Sequence, residues 1–189
     1  MSTEKVSEKV TKGRLLEVAL TLFQTKGCHN TSMDDIAKAC QIKKPSIYHH
    51  IESRSALLCG VVDLLSTQFS EKVLVFARDE TQSIKIRIEN VIEAVLQFFN
   101  RGHYSCLISQ LASESSEKAP DLHKRLRGFF TQWVDALKYL LQDRLGNAAS
   151  AYAQDYISQI QGALTLSVVA GDEAIFERAV NRLSNLLKI

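Results

Sequence analysis

Side chains that can donate hydrogen bonds to nucleic acid are concentrated between residues 43 and 50. The segment carries two lysines, two hydroxyls and two imidazoles, namely Lys43, Lys44, Ser46, Tyr48, His49 and His50. Such groups bind phosphates and the base edges of the DNA major groove. The composition predicts a nucleic-acid surface, although Lys43, His49 and His50 could simply face solvent and Tyr48 could pack its ring against a neighbouring helix.

Two short helices are predicted to position these side chains. The first begins after Thr31 or Ser32, either of which can cap it in a capping box with Asp34 or Asp35. The second follows a four-residue connection and carries Pro45 in its first turn, where a missing N–H costs nothing. Two short helices joined by a tight turn form a helix-turn-helix, whose second helix lies in the DNA major groove.

Further N-terminal and C-terminal segments also show helical spacing of apolar residues. A long helix is expected from Arg54 to Phe76, and no segment shows the sustained alternation that is typical of strands. We therefore expect an all-α fold of about nine helices. It divides into a three-helix head at residues 1–53, which carries the candidate DNA-binding residues, and a helical body at residues 54–189.

Charge and composition exclude several classes of protein. Up to Arg54 the chain has nine Lys and Arg against six Asp and Glu, and after it 14 against 15, so the basic excess lies in the head. No nucleophile elbow, phosphate loop, HExxH or paired-carboxylate motif occurs, which argues against an enzyme and a cofactor. Four cysteines without a CxxC pair argue against a metal site. No membrane span or signal peptide is visible, so we expect a cytoplasmic protein.

The segment from Leu15 to Leu58, LLEVALTLFQTKGCHNTSMDDIAKACQIKKPSIYHHIESRSALL, resembles the tetracycline-repressor (TetR) family of bacterial regulators. The matching positions are Ala19, Leu22-Phe23, Gly27, Thr31, Ile36-Ala37 and the run from Lys44 to His50. The resemblance implies a DNA-binding head on a body that binds a ligand and dimerises.

The resemblance also assigns roles to individual residues. It implies that Thr31 and Arg54 contact DNA phosphates. It also implies DNA contacts from Lys44, Pro45, Ser46, Tyr48, His49 and His50. Ser32, at the neighbouring helix N-terminus, and Lys43 join this surface as candidate contacts. Gln41 departs from the pattern, because the family usually has glycine at this turn, and a positive φ there would strain glutamine.

Aromatic residues of the body are expected to converge, since they recur on several helices. The resemblance implies a pocket for a small inducer among Phe69, Phe76, Phe98, Phe99, Tyr104, Phe129, Phe130 and Trp133. The alternative is a solid core. Cys106 also belongs to this candidate pocket, because the stretch around it resembles a family subset that senses oxidants or electrophiles through this cysteine; an inert buried thiol is the alternative.

The last two helices are predicted to form a dimer interface. Their aromatic, small and apolar residues are Tyr152, Tyr156, Ile160, Ala163, Leu164, Ser167, Ile175, Ala179 and Leu183. Two such helices from each subunit would form a four-helix bundle between subunits, although the same residues could pack within one chain.

Together these patterns predict a homodimeric transcriptional regulator without a cofactor. We expect a repressor that binds a palindromic double-stranded DNA operator and is released by a small apolar or amphipathic inducer. A redox- or electrophile-sensing repressor acting through Cys106 is the alternative. A helical interaction protein that does not bind DNA is a third, against which the intact run from Lys44 to His50 argues.

Overall fold

The computed structural model describes residues 10–99, 107–108, 111–112 and 119–188. Within these ranges every regular element is helical, which confirms the prediction of an all-α fold. Seven of the described α-helices have seven residues or more, against about nine helices predicted. The difference is small. One predicted helix, Lys44–Tyr48, has only five residues, and the segment around Cys106 lies largely outside the described ranges.

Three helices form the N-terminal head: α1 (Lys12–Lys26), α2 (Met33–Ala39) and α3 (Lys44–Tyr48). Thr11 caps α1 by accepting a hydrogen bond from the Arg14 N–H at 3.2 Å. The helices are held together by fully buried apolar side chains, among them Leu15, Ala19, Phe23, Ile36 and Ile47. Burial of such side chains supplies most of the stability of short helices, which are marginal alone.

The helix α4 (Arg54–Phe69) connects the head to the body, and Ser53 caps it by accepting from the Ala56 N–H at 3.1 Å. It packs against both α1 and a long helix of the body, Pro120–Leu145. Gly60 lies so close to α1 that a Cβ atom there would meet the Leu16 side chain at 2.7 Å. The helix α4, which joins the head to the body, therefore packs closely against α1 at Gly60.

A π-helical turn, Ser70–Leu74, interrupts this connection before the short α5 (Val75–Ala77). A π turn inserts about one extra residue into the helix, so the inward-facing positions shift along the chain. Leu74 and Ala77 are buried as a result, whereas Phe76 is only half-buried. The long helix expected from Arg54 to Phe76 is thus corrected: it is a regular α-helix only to Phe69, Val73 is still buried, and inward-facing Ala77 takes the place expected for Phe76.

The body consists of α6 (Ile84–Phe99), α7 (Pro120–Leu145), α8 (Ala149–Ala170) and α9 (Ala174–Asn181). A 3-10 turn, Gly146–Ala148, joins α7 to α8, and a second 3-10 segment, Arg182–Lys188, follows α9. The short connection makes α7 and α8 neighbours, and they pack against each other extensively. Trp133 of α7 is completely buried in the centre of this core.

Candidate nucleic-acid interface

The turn between α2 and α3 determines where α3 points. The Gln41 N–H donates to the Lys38 carbonyl at 3.0 Å, and the Ile42 N–H donates to the Ala37 carbonyl at 3.0 Å. This pair of bonds defines a Schellman motif, which requires a left-handed residue after the helix. Gln41 is that residue, with φ of 57°, and among the described residues it is the single non-glycine with positive φ. The strain expected for Gln41 is therefore present.

The helix α3 presents its polar side chains outward. Ile47 is fully buried and fixes the helix to the head. Most of the candidate contact residues on or beside α3 are exposed, namely Lys43, Lys44, Pro45, Tyr48, His49 and His50, and Ser46 is half-buried. Tyr48 is 44% exposed, so its ring is not enclosed by a neighbouring helix. Six of these seven candidates are therefore accessible to solvent around α3.

Lys44 has a partner that the sequence did not indicate. Its Nζ atom donates to Oδ2 of Asp34 on α2 at 3.1 Å, and both side chains are about half exposed. Ion pairs this exposed contribute little stability, so Lys44 can exchange Asp34 for another anion at low cost. The ten-residue separation is not a helical spacing, which explains why the pair was not predicted.

At the start of α2 the structure decides between the predicted caps. The Ser32 hydroxyl accepts from the Asp35 N–H at 3.1 Å, and the Asp35 carboxylate accepts from the Ser32 N–H at 2.9 Å. The Ser32 hydroxyl also donates to that carboxylate at 2.6 Å. These hydrogen bonds lower the pKa of Asp35. The capping box is therefore Ser32 with Asp35, and the Ser32 hydroxyl is already engaged in it.

Thr31 and Arg54 lie elsewhere than the resemblance implies. Thr31 is 1% exposed and donates its hydroxyl to the Gly27 carbonyl at 2.9 Å, so this side chain does not reach the surface. The Arg54 guanidinium donates to the carbonyls of Thr31 and Cys28, each at 2.7 Å, and lies 5.9 Å from the centre of the Phe23 ring. As the structure stands, both side chains hold the α1–α2 loop, and we correct their assignment as phosphate contacts accordingly.

In the body, five of the aromatic residues predicted to converge do so. The rings of Phe69, Phe98, Phe99, Phe129 and Trp133 form a cluster with centroid separations of 4.8 to 6.3 Å. These are distances of direct ring contact, and all five side chains are buried, as in a solid core. Phe76 and Phe130 are half-buried at its edge, and Tyr104 and Cys106 lie outside the described residues.

The residues predicted to form the dimer interface also belong mainly to the core of the single chain. Seven of the nine are buried there, namely Tyr156, Ile160, Ala163, Leu164, Ser167, Ala179 and Leu183. Tyr156, for example, donates its hydroxyl to the Val180 carbonyl at 2.7 Å. The predicted face is therefore corrected. On α8, Leu166 and Val169 are the large apolar residues of the opposite face, with 55% and 81% exposure.

The described cysteines, the possible metal ligands and the hydrophobicity of the helices also bear on the sequence-based expectations. Cys28 and Cys59 are buried, Cys40 is half-buried, and burial raises the pKa of the Cys40 and Cys59 thiols, which makes these two thiols less reactive. No group of three His, Cys, Asp or Glu side chains suited to a metal ion occurs in the ranges that the structure describes. Within the same ranges, the helices are too short or too polar to cross a membrane.

A head with a donor-bearing helix after a tight turn, attached to an all-helical body, defines a helix-turn-helix regulator of transcription. Comparison with known families agrees: residues 15–59 match "Bacterial regulatory proteins, tetR family", and residues 86–182 match "Transcriptional regulator LmrA/YxaF-like, C-terminal domain". The chain therefore belongs to the TetR family of DNA-binding transcriptional regulators.

Individual relatives are distant. The biofilm operon icaADBC negative transcriptional regulator IcaR of Staphylococcus aureus is 25% identical over 116 residues, which are 61% of this chain and 61% of that protein. The regulator UidR of Escherichia coli is 27% identical over 96 residues, 51% of this chain and 46% of that protein. The crystal structure of a TetR regulator from Legionella pneumophila superimposes with a TM-score of 0.82 at 26% identity, over 94% of this chain and 97% of that one.

Proposed function

We propose that the protein is a homodimeric repressor whose α3 helix reads an operator in the DNA major groove. The observation that carries the proposal is the exposed set of donors on α3, which is anchored by buried Ile47 and oriented by the Gln41 turn. A short rigid helix with free donors is the part of a helix-turn-helix that meets base edges. IcaR, a relative over about three fifths of its length, is a negative regulator, which supports repression.

Within this proposal the exposed residues divide by chemistry. Lys43 and Lys44 supply charge to phosphates, and Lys44 exchanges its bond to Asp34 for one to DNA. Ser46, Tyr48 and His49 are the candidates for base contacts, because hydroxyl and imidazole groups can distinguish one base edge from another. Arg54 acts indirectly, by holding the loop that ends in the Ser32 cap.

The dimer in this proposal uses the outer face of α8. Gly162, Thr165, Leu166 and Val169 are exposed there and recur at intervals of three and four residues, so they lie along one side of the helix. Large apolar side chains with this much exposure are typical of protein interfaces. A second copy that covers the same face would bury Leu166 and Val169 in a two-fold interface.

Release from DNA in this proposal is transmitted through α4. The close approach of Gly60 to Leu16 links α4 to the head, and the bond from Arg125 Nε to Asp63 Oδ2, at 3.0 Å, links it to α7. A ligand drives release only if it binds the DNA-incompetent arrangement more tightly than the competent one. Movement of α4 would change the spacing of the two α3 helices, and hence their fit to two half-sites.

DNA binding is tested with a fragment from upstream of the protein's own gene, by fluorescence anisotropy across a range of salt concentrations. Lys43→Ala and Lys44→Ala should each weaken binding and flatten the slope of log K against log salt by about one. Lys124→Ala and Lys138→Ala, exposed lysines of α7, are matched controls that should change neither quantity. Equal effects at both pairs would refute the assignment of α3.

The dimer is tested by sedimentation of Leu166→Glu and Val169→Glu. Each substitution places a charge on the exposed α8 face, so we expect monomers that remain folded by circular dichroism. Thr131→Glu, at an exposed position of α7, places the same charge on another helix and should remain dimeric. A Val169→Glu variant that sediments as a dimer and binds DNA normally would refute this interface.

A further inference from the structure

A groove lies between α6 and the C-terminal helices α8 and α9. It encloses about 370 Å³, a size found for small-molecule sites. Its apolar wall is formed by Leu96, Phe99, Leu164 and Phe176. The Phe99 and Phe176 rings meet edge to face with centroids 6.1 Å apart. These two rings are 2% and 5% exposed, so a ligand would meet small parts of them beside the Val168 side chain, which also lines the groove and is 56% exposed.

The rim of this groove is acidic. Glu93 of α6, Glu173 and Glu177 stand around it, and all three are exposed. Among the described lining residues there is no lysine, arginine or histidine, and none of the ion pairs between described residues uses these glutamates. The three carboxylates thus surround an apolar wall that has no cation among its described lining residues.

The polar groups at the rim are arranged to keep the carboxylates in place. Glu93 accepts a hydrogen bond from Gln97 Nε2 at 2.7 Å, one helical turn further along α6. Glu173 immediately precedes α9, and Glu177 lies in its first turn, where the helix dipole stabilises negative charge. Gly171, with φ of 64°, ends α8 and lets the chain turn back so that these two glutamates reach the groove.

We propose that this groove binds lipophilic organic cations and that such a cation is the ligand of the regulator. The apolar body of the ligand lies against the apolar wall, of which Val168 is the most exposed member. The cationic centre lies at the rim, where three carboxylates face it. An anion of the same shape meets the same apolar wall but is repelled by all three carboxylates, so charge, and not shape, decides which of the two binds.

The groove also lies where binding could reach the rest of the molecule. Phe99 belongs to the wall of the groove and stacks on Trp133 at 5.9 Å, and both contact Phe69 at the end of α4. A ligand that displaces Phe99 therefore acts on α4, which runs to the head. This regulatory role rests on the function proposed above, whereas binding in the groove does not.

The test uses tetraphenylphosphonium and tetraphenylborate, which have nearly the same shape and opposite charge. Isothermal titration calorimetry with the full chain should give binding of the phosphonium at least about tenfold tighter than that of the borate. Exposed ion pairs of this kind are each worth about two- to fivefold in affinity. The combined E93Q/E173Q/E177Q variant should therefore weaken phosphonium binding by at least about tenfold.

Two further variants locate the effect. E17Q/E52Q/E89Q removes the same charge from exposed glutamates outside the groove and should leave phosphonium binding within about twofold of wild type. Val168→Arg, at a groove residue that is 56% exposed, should weaken phosphonium binding and strengthen borate binding. Equal affinity for the two ions in wild type, or equal losses in both triple variants, would overturn the proposal.

The outcome is separable from the test of DNA binding. Phosphonium binding that depends on the three glutamates, in a chain that binds no DNA, would refute the proposed function and support the groove as a cation site. Operator binding without any preference for the phosphonium would refute the cation site and leave the DNA-binding proposal intact.

Discussion

Replacing Gln41 by glycine is expected to stabilise the protein. A non-glycine residue in the left-handed region costs about 1–2 kcal/mol, and Gln41 occupies that region with φ of 57°. Glycine avoids this cost but loses about 0.5–1 kcal/mol more backbone entropy on folding. Because the Gln41 side chain is exposed, little packing is lost with it. The midpoints of the two ranges leave a net gain of about 0.75 kcal/mol, or roughly 1.5–3 °C in Tm for a chain of this size.

The assay is urea unfolding followed by circular dichroism, with Gln41→Ala and Gln41→Asn as matched controls. Alanine has a Cβ atom and should give no gain, whereas asparagine, which tolerates the left-handed region, should fall between alanine and glycine. The ranking matters more than the absolute value. If glycine and alanine gave the same stability, the strain at the α2–α3 turn would not be real and the Schellman geometry would have to be revised.

Three other outcomes are expected. Arg54→Ala should destabilise the chain by about 2–3 kcal/mol in urea unfolding, because it leaves two carbonyls without their charged donor, whereas Arg14→Ala, on an exposed surface pair, should stay within about 0.5 kcal/mol. By carboxyl NMR, Asp35 should titrate below its ordinary pKa of 3.8, and Ser32→Ala should raise the pKa of Asp35. Because the pKa is lowered in the folded state, the cap stabilises the protein above pH 3.8, and this stabilisation is lost as the pH falls through the folded-state pKa. Cys106→Ser should leave release by a reversible ligand unchanged, and release by a mild oxidant that depends on Cys106 would favour the covalent alternative.

Local signals in the sequence predicted the head well. The sequence predicted a capping box of Thr31 or Ser32 with Asp34 or Asp35, and the structure has Ser32 with Asp35. The departure of Gln41 from the family pattern predicted strain at the turn. Both features depend on residues within a few positions of one another, where steric and hydrogen-bonding rules are strict. The role of Arg54 was not predictable in this way, because its carbonyl partners lie 23 and 26 residues earlier in the chain.

The body was harder to predict because periodicity shows which residues are apolar but not which apolar face points inward. The helix α8 has apolar residues on both sides, so Ile160 and Leu164 were assigned to a dimer interface although they face the core. Leu166 and Val169 were overlooked for the same reason. After α4, the π turn adds about one residue to the helix, so Leu74 and Ala77 become buried. A regular helical spacing applied from Arg54 to Phe76 does not predict this shift.

The central claim, that α3 reads a specific operator as part of a dimer, is tested most directly by selection of binding sites from random double-stranded DNA. The account predicts that the wild-type chain enriches an inverted repeat with two equal half-sites. It also predicts that Ser46→Ala or His49→Ala changes the preferred bases within each half-site, while Lys124→Ala changes none. Selection that yields no enriched sequence, or the same sequence with all three variants, would contradict it.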